Sequence, residues 1–268
     1  MIFISILILI SLAAQSQGFL KKNDKAETDT AKIREKLTDV QIVVVPYNPE
    51  LYINYEELYL TKENGKSSGE INRYFRRELD TKLLVAFKKY CNVSSLLQSY
   101  TNDDNDDIYR IYMKSAYSYE DAAFIPKDFI PLSKDQSELS DMQPKKKEQQ
   151  EGDLVDVVRD NNRKFLHVRF SEKDYIYKMS QNYNCKYFLF INQFDLKGDY
   201  SNPYAVNSMT YQRRIKVHFS LYTSSGEFVT GSFAYYDFPA KENDLDTIVE
   251  SYFPLIASDI VSKIASGL

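Results

Sequence analysis

Asn192 and Gln193 stand side by side in the stretch CKYFLFINQFDLKG, residues 185–198, where apolar side chains otherwise occupy both faces of an extended chain. Each amide offers an acceptor oxygen and two N–H donors, and open α/β sheets commonly place ligand-binding groups at the carboxyl ends of central strands. On that reading the pair are ligand-binding residues. The same amides could instead bond the chain that leaves the strand at Asp195 and Gly198, because buried amides are normally satisfied locally. The sequence leaves both roles open.

Other residue patterns carry less chemistry. His167 and His218 are the only histidines, and each lies in a strand pattern without a cysteine or second histidine at ligand spacing. That argues against zinc and for a position at the surface or rim. The run TNDDNDD, residues 101–107, opens like a calcium loop, but Ile108 stands where such a loop needs glycine and Lys114 where it needs glutamate. Its acids suit the start of a helix instead, where negative charge is stabilising. No GxGxxG, P-loop, GxSxG or HExxH is present, and 8 glycines leave few backbone cradles for phosphate. No catalytic residue, metal ligand or cofactor is assigned.

The cysteines are Cys91, where the first long helix pattern ends, and Cys185, where the strand above begins. Both would lie at one rim of a layered fold, either joined as a disulfide or as two buried thiols. The compartment bears on that choice. MIFISILILISLAAQSQG reads as the apolar and small-residue parts of a secretory signal, with cleavage expected after Ser16 and a periplasmic or secreted mature chain. No later segment has the roughly 20 apolar residues needed to span a bilayer, so no integral membrane segment is expected after cleavage. A net charge of −4 gives no reason to expect nucleic acid as a partner. The 22 tyrosines, by contrast, are suited to recognition surfaces.

The elements that must position these residues follow from periodicity. Residues 17–39 are polar and read as a tether before a single α/β domain at 40–268. VQIVVVPY, residues 40–47, is a β-branched run stopped by Pro46, the pattern of a strand covered on both faces. Residues 48–66 read as an excursion carrying Tyr52, Tyr55 and Tyr59. Ser67 and Glu70 form a capping box before a helix with the stripe Ile71, Phe75, Leu79, Leu83, Phe87. Its other side, with Arg73, Arg76, Arg77 and Asp80, should face solvent. IYRIYMKSAYSY, residues 108–119, suits a short helix, and the polar stretch at about 133–153 a disordered insertion.

KFLHVRF, residues 164–170, then a capped helix, then the strand of Asn192 read as the right-handed crossover of a parallel sheet. YQRRIKVHFSLY, residues 211–222, alternates, with Ile215, Val217, Phe219 and Leu221 inward and Arg214, Lys216, His218 and Ser220 in solvent. With FVTGSFAYYDF it forms an edge hairpin, and a final helix with a kink expected at Pro254 closes the domain. The fold class is α/β: a mixed sheet with parallel core strands, an antiparallel edge hairpin and helices on both faces.

This element order over residues 40–265 resembles the α/β domain in the amino-terminal part of the Tol-Pal translocation protein and in the curli-secretion lipoprotein. The strings VVVPYNPELY, FRRELD and FLFINQF also resemble a group of exported bacterial envelope proteins without assigned activity. The resemblance implies a non-enzymatic exported interaction domain in cell-envelope assembly or transport, with another envelope protein as partner. Its contacts would be the hairpin edge and Tyr52, Tyr55 and Tyr59. A small-ligand binding protein with its site at Asn192 and Gln193 is the alternative, and a hydrolase of unknown type the third.

Overall fold

A computed structural model describes residues 29–98, 102–124, 163–172 and 174–268. The expected signal peptide at 1–16 and the expected insertion at about 133–153 lie outside these residues. Of the expected tether, residues 29–37 are helical, and Leu37 is fully buried against the main core.

Strand β1 (Gln41–Val45) is buried on both faces from Ile42 onward, as its β-branched run requires. After a 3-10 turn at Pro49–Leu51 come β2 (Tyr52–Asn54) and helix α1 (Glu57–Asn64). The long helix α2 (Ser68–Phe87) starts at the expected capping box, with Glu70 accepting from the Ser67 N–H and the Ser67 hydroxyl accepting from the Glu70 N–H. Its stripe of Ile71, Phe75, Leu79, Leu83 and Phe87 is buried.

Next come β3 (Asn92–Ser95), α3 (Asn102–Lys114), β4 (Ser115–Asp121), β5 (Lys164–Phe170), α4 (Tyr175–Tyr183) and β6 (Tyr187–Gly198). The chain ends with the short helix α5 (Pro203–Asn207), β7 (Gln212–Thr223), β8 (Phe228–Pro239) and α6 (Leu245–Gly267).

The main sheet runs β3-β1-β6-β7-β8, and β2 pairs with the far half of β6. Pairings of β1 with β3, β1 with β6 and β2 with β6 are parallel, while β6-β7 and β7-β8 are antiparallel. The mixed α/β sheet with an antiparallel hairpin on one side is therefore as the sequence implied. On one face α2 and α6 bury the larger core, which includes Leu189, Ile191 and Phe194 of β6. On the other, Ile108 and Ile111 of α3 and Ile176 and Met179 of α4 pack on Val43, Val45, Phe188 and Phe190.

Three local expectations fail. The helix begun by the acidic run stops at Lys114, and Ser115–Asp121 is a strand, β4. β5 is not in the main sheet; it pairs antiparallel with β4 as a separate two-stranded ribbon. Strand, helix and strand over residues 164–198 are thus no parallel crossover. Periodicity told strand from helix there but could not name the strand's partner. Thirdly, β7 is buried on both faces from Arg213 to Tyr222. The ribbon lies over the face that alternation had assigned to water.

Candidate functional site

Asn192 and Gln193 owe their joint orientation to a β-bulge. Ile191 pairs with Phe219 and Gln193 with His218, so Asn192 is an extra residue opposite no partner. Before the bulge Leu189 and Ile191 face the larger core; after it Phe194 and Leu196 do. The slip turns Gln193, Asp195 and Lys197 to the second face. There they oppose His218, Lys216 and Arg214 across the β6-β7 ladder.

On β8 the same row continues as Phe233, Tyr235 and Asp237, opposite His218, Lys216 and Arg214. Arg214 forms a two-point contact with Asp237 at 2.6 and 2.7 Å. One half of one sheet face is therefore largely a ladder of polar side chains, covered at Gln193, Asp195, Arg214, Lys216 and His218 and open to solvent at Asp237.

What covers it is the outer backbone edge of β5. The Lys216 ammonium donates to the Lys164 carbonyl at 2.8 Å, and the Asn192 amide donates to the Leu166 carbonyl at 2.7 Å. The Leu166 N–H donates to His218 Nδ1 at 2.7 Å, and the Tyr222 hydroxyl donates to the Val168 carbonyl at 2.6 Å. Side chains of the main sheet thus do for this edge what a neighbouring strand would otherwise do, since its buried backbone groups need partners. Asn192 spends its other N–H on Ser220 at 2.7 Å, and Gln193 accepts from the Tyr119 hydroxyl of β4 at 2.9 Å. Both amides proposed as ligand-binding residues are at most 2% exposed and bonded to the ribbon or to β7.

Neither histidine is at the surface: His167 is 5% and His218 0% exposed. Both fasten the ribbon, a role on which metal-ligand spacing in the sequence is silent. His218 accepts at Nδ1, so its ring proton is on Nε2, which faces Asp195 Oδ2 at 3.4 Å. Burial pushes the Asp195 carboxyl up, but His218, Lys197 and Lys216 more than offset this and hold it below the usual range. His167 Nε2 meets the Tyr222 hydroxyl at 2.8 Å, and its Nδ1 lies 2.9 Å from Glu120. Burial dominates that ring and lowers its pKa despite the carboxylate.

Close approach also fixes the ribbon: a Cβ on Gly231 of β8 would sit 2.3 Å from the Phe165 ring.

The tyrosine excursion forms a different arrangement at the far end of β6. Glu56 and Arg213, both 0% exposed, meet at 2.8 Å. The Tyr211 hydroxyl donates to Glu56 at 2.8 Å and the Tyr200 hydroxyl to its other oxygen, while Arg213 donates to the Glu242 carbonyl and Asn243. Around this buried pair Tyr55 and Tyr59 are exposed, with Leu58 between them, and Tyr59 lies under the Arg213 guanidinium at 5.3 Å. Tyr52 is different in kind. It is half-buried, stacked on Phe194, and belongs to the core.

At the carboxyl ends of β1 and β3, the usual ligand end of a parallel sheet, the chain is packed shut. Arg76 donates to the Tyr47 carbonyl and the Tyr112 hydroxyl, and Ser95 donates to Asp80 at 2.6 Å. Asp80 is 2% exposed, so the helix face expected to be solvated is not uniformly so. Burial raises its carboxyl to about 6. An open groove of about 220 Å³ lies instead between α2 and α6, lined by Lys82, Val85, Lys89, Tyr90 and Pro254.

Cys91 and Cys185 are unpaired thiols. They share a rim but pack on opposite faces of the sheet, Cys91 on the larger core and Cys185 on the smaller. Burial pushes both up to about 11. Among the described residues no group of His, Cys, Asp and Glu is arranged to hold a metal, and no helix is long and apolar enough to cross a membrane.

The hairpin edge expected to accept a partner strand is also partly taken. The Gly231 carbonyl accepts from the Ala123 N–H at 3.3 Å, and the Phe233 carbonyl accepts from the Lys263 ammonium at 2.7 Å.

No family model and no curated protein matches the chain. Among solved structures it is similar to a dodecamer of a PelC variant from Paraburkholderia phytofirmans at 9% identity, covering 82% of this chain and 87% of that one, with a TM-score of 0.31. A likeness at that level carries no argument about role.

Proposed function

We propose that this chain is an exported, non-enzymatic interaction module, a soluble component of cell-envelope assembly or transport, that meets its partner through the turn around Tyr55, Leu58 and Tyr59. One observation carries the reading. These three side chains are 59, 75 and 37% exposed, while Glu56 in the same turn is fully buried in an ion pair. Large apolar groups are thus presented to solvent from an anchored base, which suits association: little ordering remains to oppose binding. Tyr204 on the neighbouring short helix, 85% exposed, adds to the apolar surface of this part of the chain. Export and an envelope partner rest on the leader-like amino-terminal sequence. The small-ligand alternative at Asn192 and Gln193 gains no support from a pair of amides bonded to the ribbon and to β7.

The test is a comparison of proteins captured from envelope extract by the wild-type chain and by a Tyr55→Ser/Leu58→Ser variant. Tyr52 and Tyr59 are left intact because they pack on Phe194 and Arg213. The variant is expected to keep its thermal midpoint and lose the partner. An identical set of captured proteins would overturn the surface assignment.

A further inference from the structure

We propose that the β4-β5 ribbon is an acid-labile cover, held to the main sheet by His218 only while that ring is uncharged. The geometry of the contact requires this. In the closed state Nδ1 accepts the Leu166 N–H at 2.7 Å, so there is no room on that nitrogen for a second proton. Protonation would set two N–H groups against each other. Opening the ribbon removes Leu166 and frees Nδ1 to take a proton. The open form therefore binds a proton that the closed form cannot, and acid favours opening.

The groups around the ring do not reverse that sign. On β6, Asp195 lies 3.4 Å from Nε2 and favours a positive ring whichever nitrogen takes the proton, but it makes no room at Nδ1, where an added N–H would still face the Leu166 N–H. Asp195 also feels Lys197 and Lys216, which oppose a further positive charge. On β8 the neighbour is the Phe233 ring, and on β4 the Tyr119 ring at 6.1 Å, neither of which bears charge at neutral pH.

His167, on β5 itself, acts in the same direction, since burial lowers its pKa in the closed form although Glu120 pulls the other way and Arg169 is near. Asp80, whose carboxyl burial raises to about 6, packs with α2 and β3 outside the ribbon's contacts and has the opposite sign: its raised pKa makes acid stabilising. It cannot imitate acid-driven opening.

Release would uncover a β5 edge whose carbonyls and N–H are otherwise bonded by Lys216, His218, Asn192 and Tyr222, and with it the ladder itself. An extended backbone edge of that kind is what β-strand addition uses. This surface is distinct from the Tyr55–Tyr59 turn and does not depend on it.

Hydrogen exchange on the full chain tests the proposal, with β6 amides 188–191 as the internal reference. After correction for intrinsic chemistry, the opening constant of the β5 amides should rise about 25-fold between pH 7 and pH 5 for one histidine of ordinary pKa near 6.5, with the reference unchanged. His218→Asn keeps an acceptor at the Nδ1 position and cannot titrate, so that factor should vanish and leave only the smaller rise that His167 contributes. No rise in the wild type, or an equal rise in H218N, would overturn the proposal. Should H218N not fold, ¹⁵N shifts of the wild-type imidazole at pH 7 decide: a bare Nδ1 supports the latch, and a doubly protonated ring contradicts it.

Discussion

Arg213→Leu is expected to lower stability by about 3–5 kcal/mol, because it leaves the Glu56 carboxylate fully buried with no opposite charge. Tyr200 and Tyr211 would still donate to it, but two neutral hydroxyls do not replace a guanidinium. The variant also loses the Arg213 bonds to Glu242 and Asn243, which tie β7 to the start of α6. The pair's own worth is a separate question. A Glu56→Leu/Arg213→Met double variant removes both charges and should recover most of the loss, since an apolar pair of similar volume is often as stable as a buried ion pair. Urea denaturation of the three proteins measures this. A loss below about 1 kcal/mol in R213L would mean the pair is screened by water as surface pairs are.

Asp80→Asn should stabilise the protein at pH 7.5 and leave it little changed at pH 4. The Asp80 carboxyl has a folded pKa of about 6, above its ordinary value of 3.8, with burial as the main cause. Between those values the folded state holds a proton that the unfolded state has released. Stability therefore falls as pH rises from about 4 to 6, by up to about 3 kcal/mol at 1.4 kcal/mol per unit, and the loss persists above the window. Asparagine keeps an oxygen to accept from Ser95, so the bond between α2 and β3 survives while the charge does not. Chemical denaturation at both pH values is the check. Equal stability of D80N and wild type at pH 7.5 would show that the carboxylate is hydrated in the fold.

Much of the architecture was legible because single elements declare themselves. The β-branched run at 41–45, the Ser67–Glu70 capping box and the apolar stripe of α2 each have one physical meaning, and the structure realises it. The hairpin of β7 and β8 was equally plain. What could not be read was which surface covers which. A strand alternating Ile-Lys-Val-His-Phe-Ser looks the same whether its polar side faces water or a second sheet. The discriminating signal lay across strands: Asp195 and Gln193 on β6 complement Lys216 and His218 on β7, but seeing that needs the register, which the bulge at Asn192 shifts. The tyrosine turn was noticed as a composition feature. Its anchor, Glu56 with Arg213, spans far too great a sequence distance for periodicity to find.

The polar ladder's hold on the edge of β5 is central to both the covered face and the acid-labile ribbon, and the Leu166 N–H to His218 Nδ1 contact is its most diagnostic bond. An N–H···N hydrogen bond transmits a ¹⁵N–¹⁵N scalar coupling, which a uniformly labelled sample reports directly. At pH 7.5 a coupling between the Leu166 amide nitrogen and His218 Nδ1 is expected, with that amide among the slowest to exchange. Absence of the coupling, together with a Leu166 amide that exchanges as fast as a solvent-exposed one, would contradict the covered ladder.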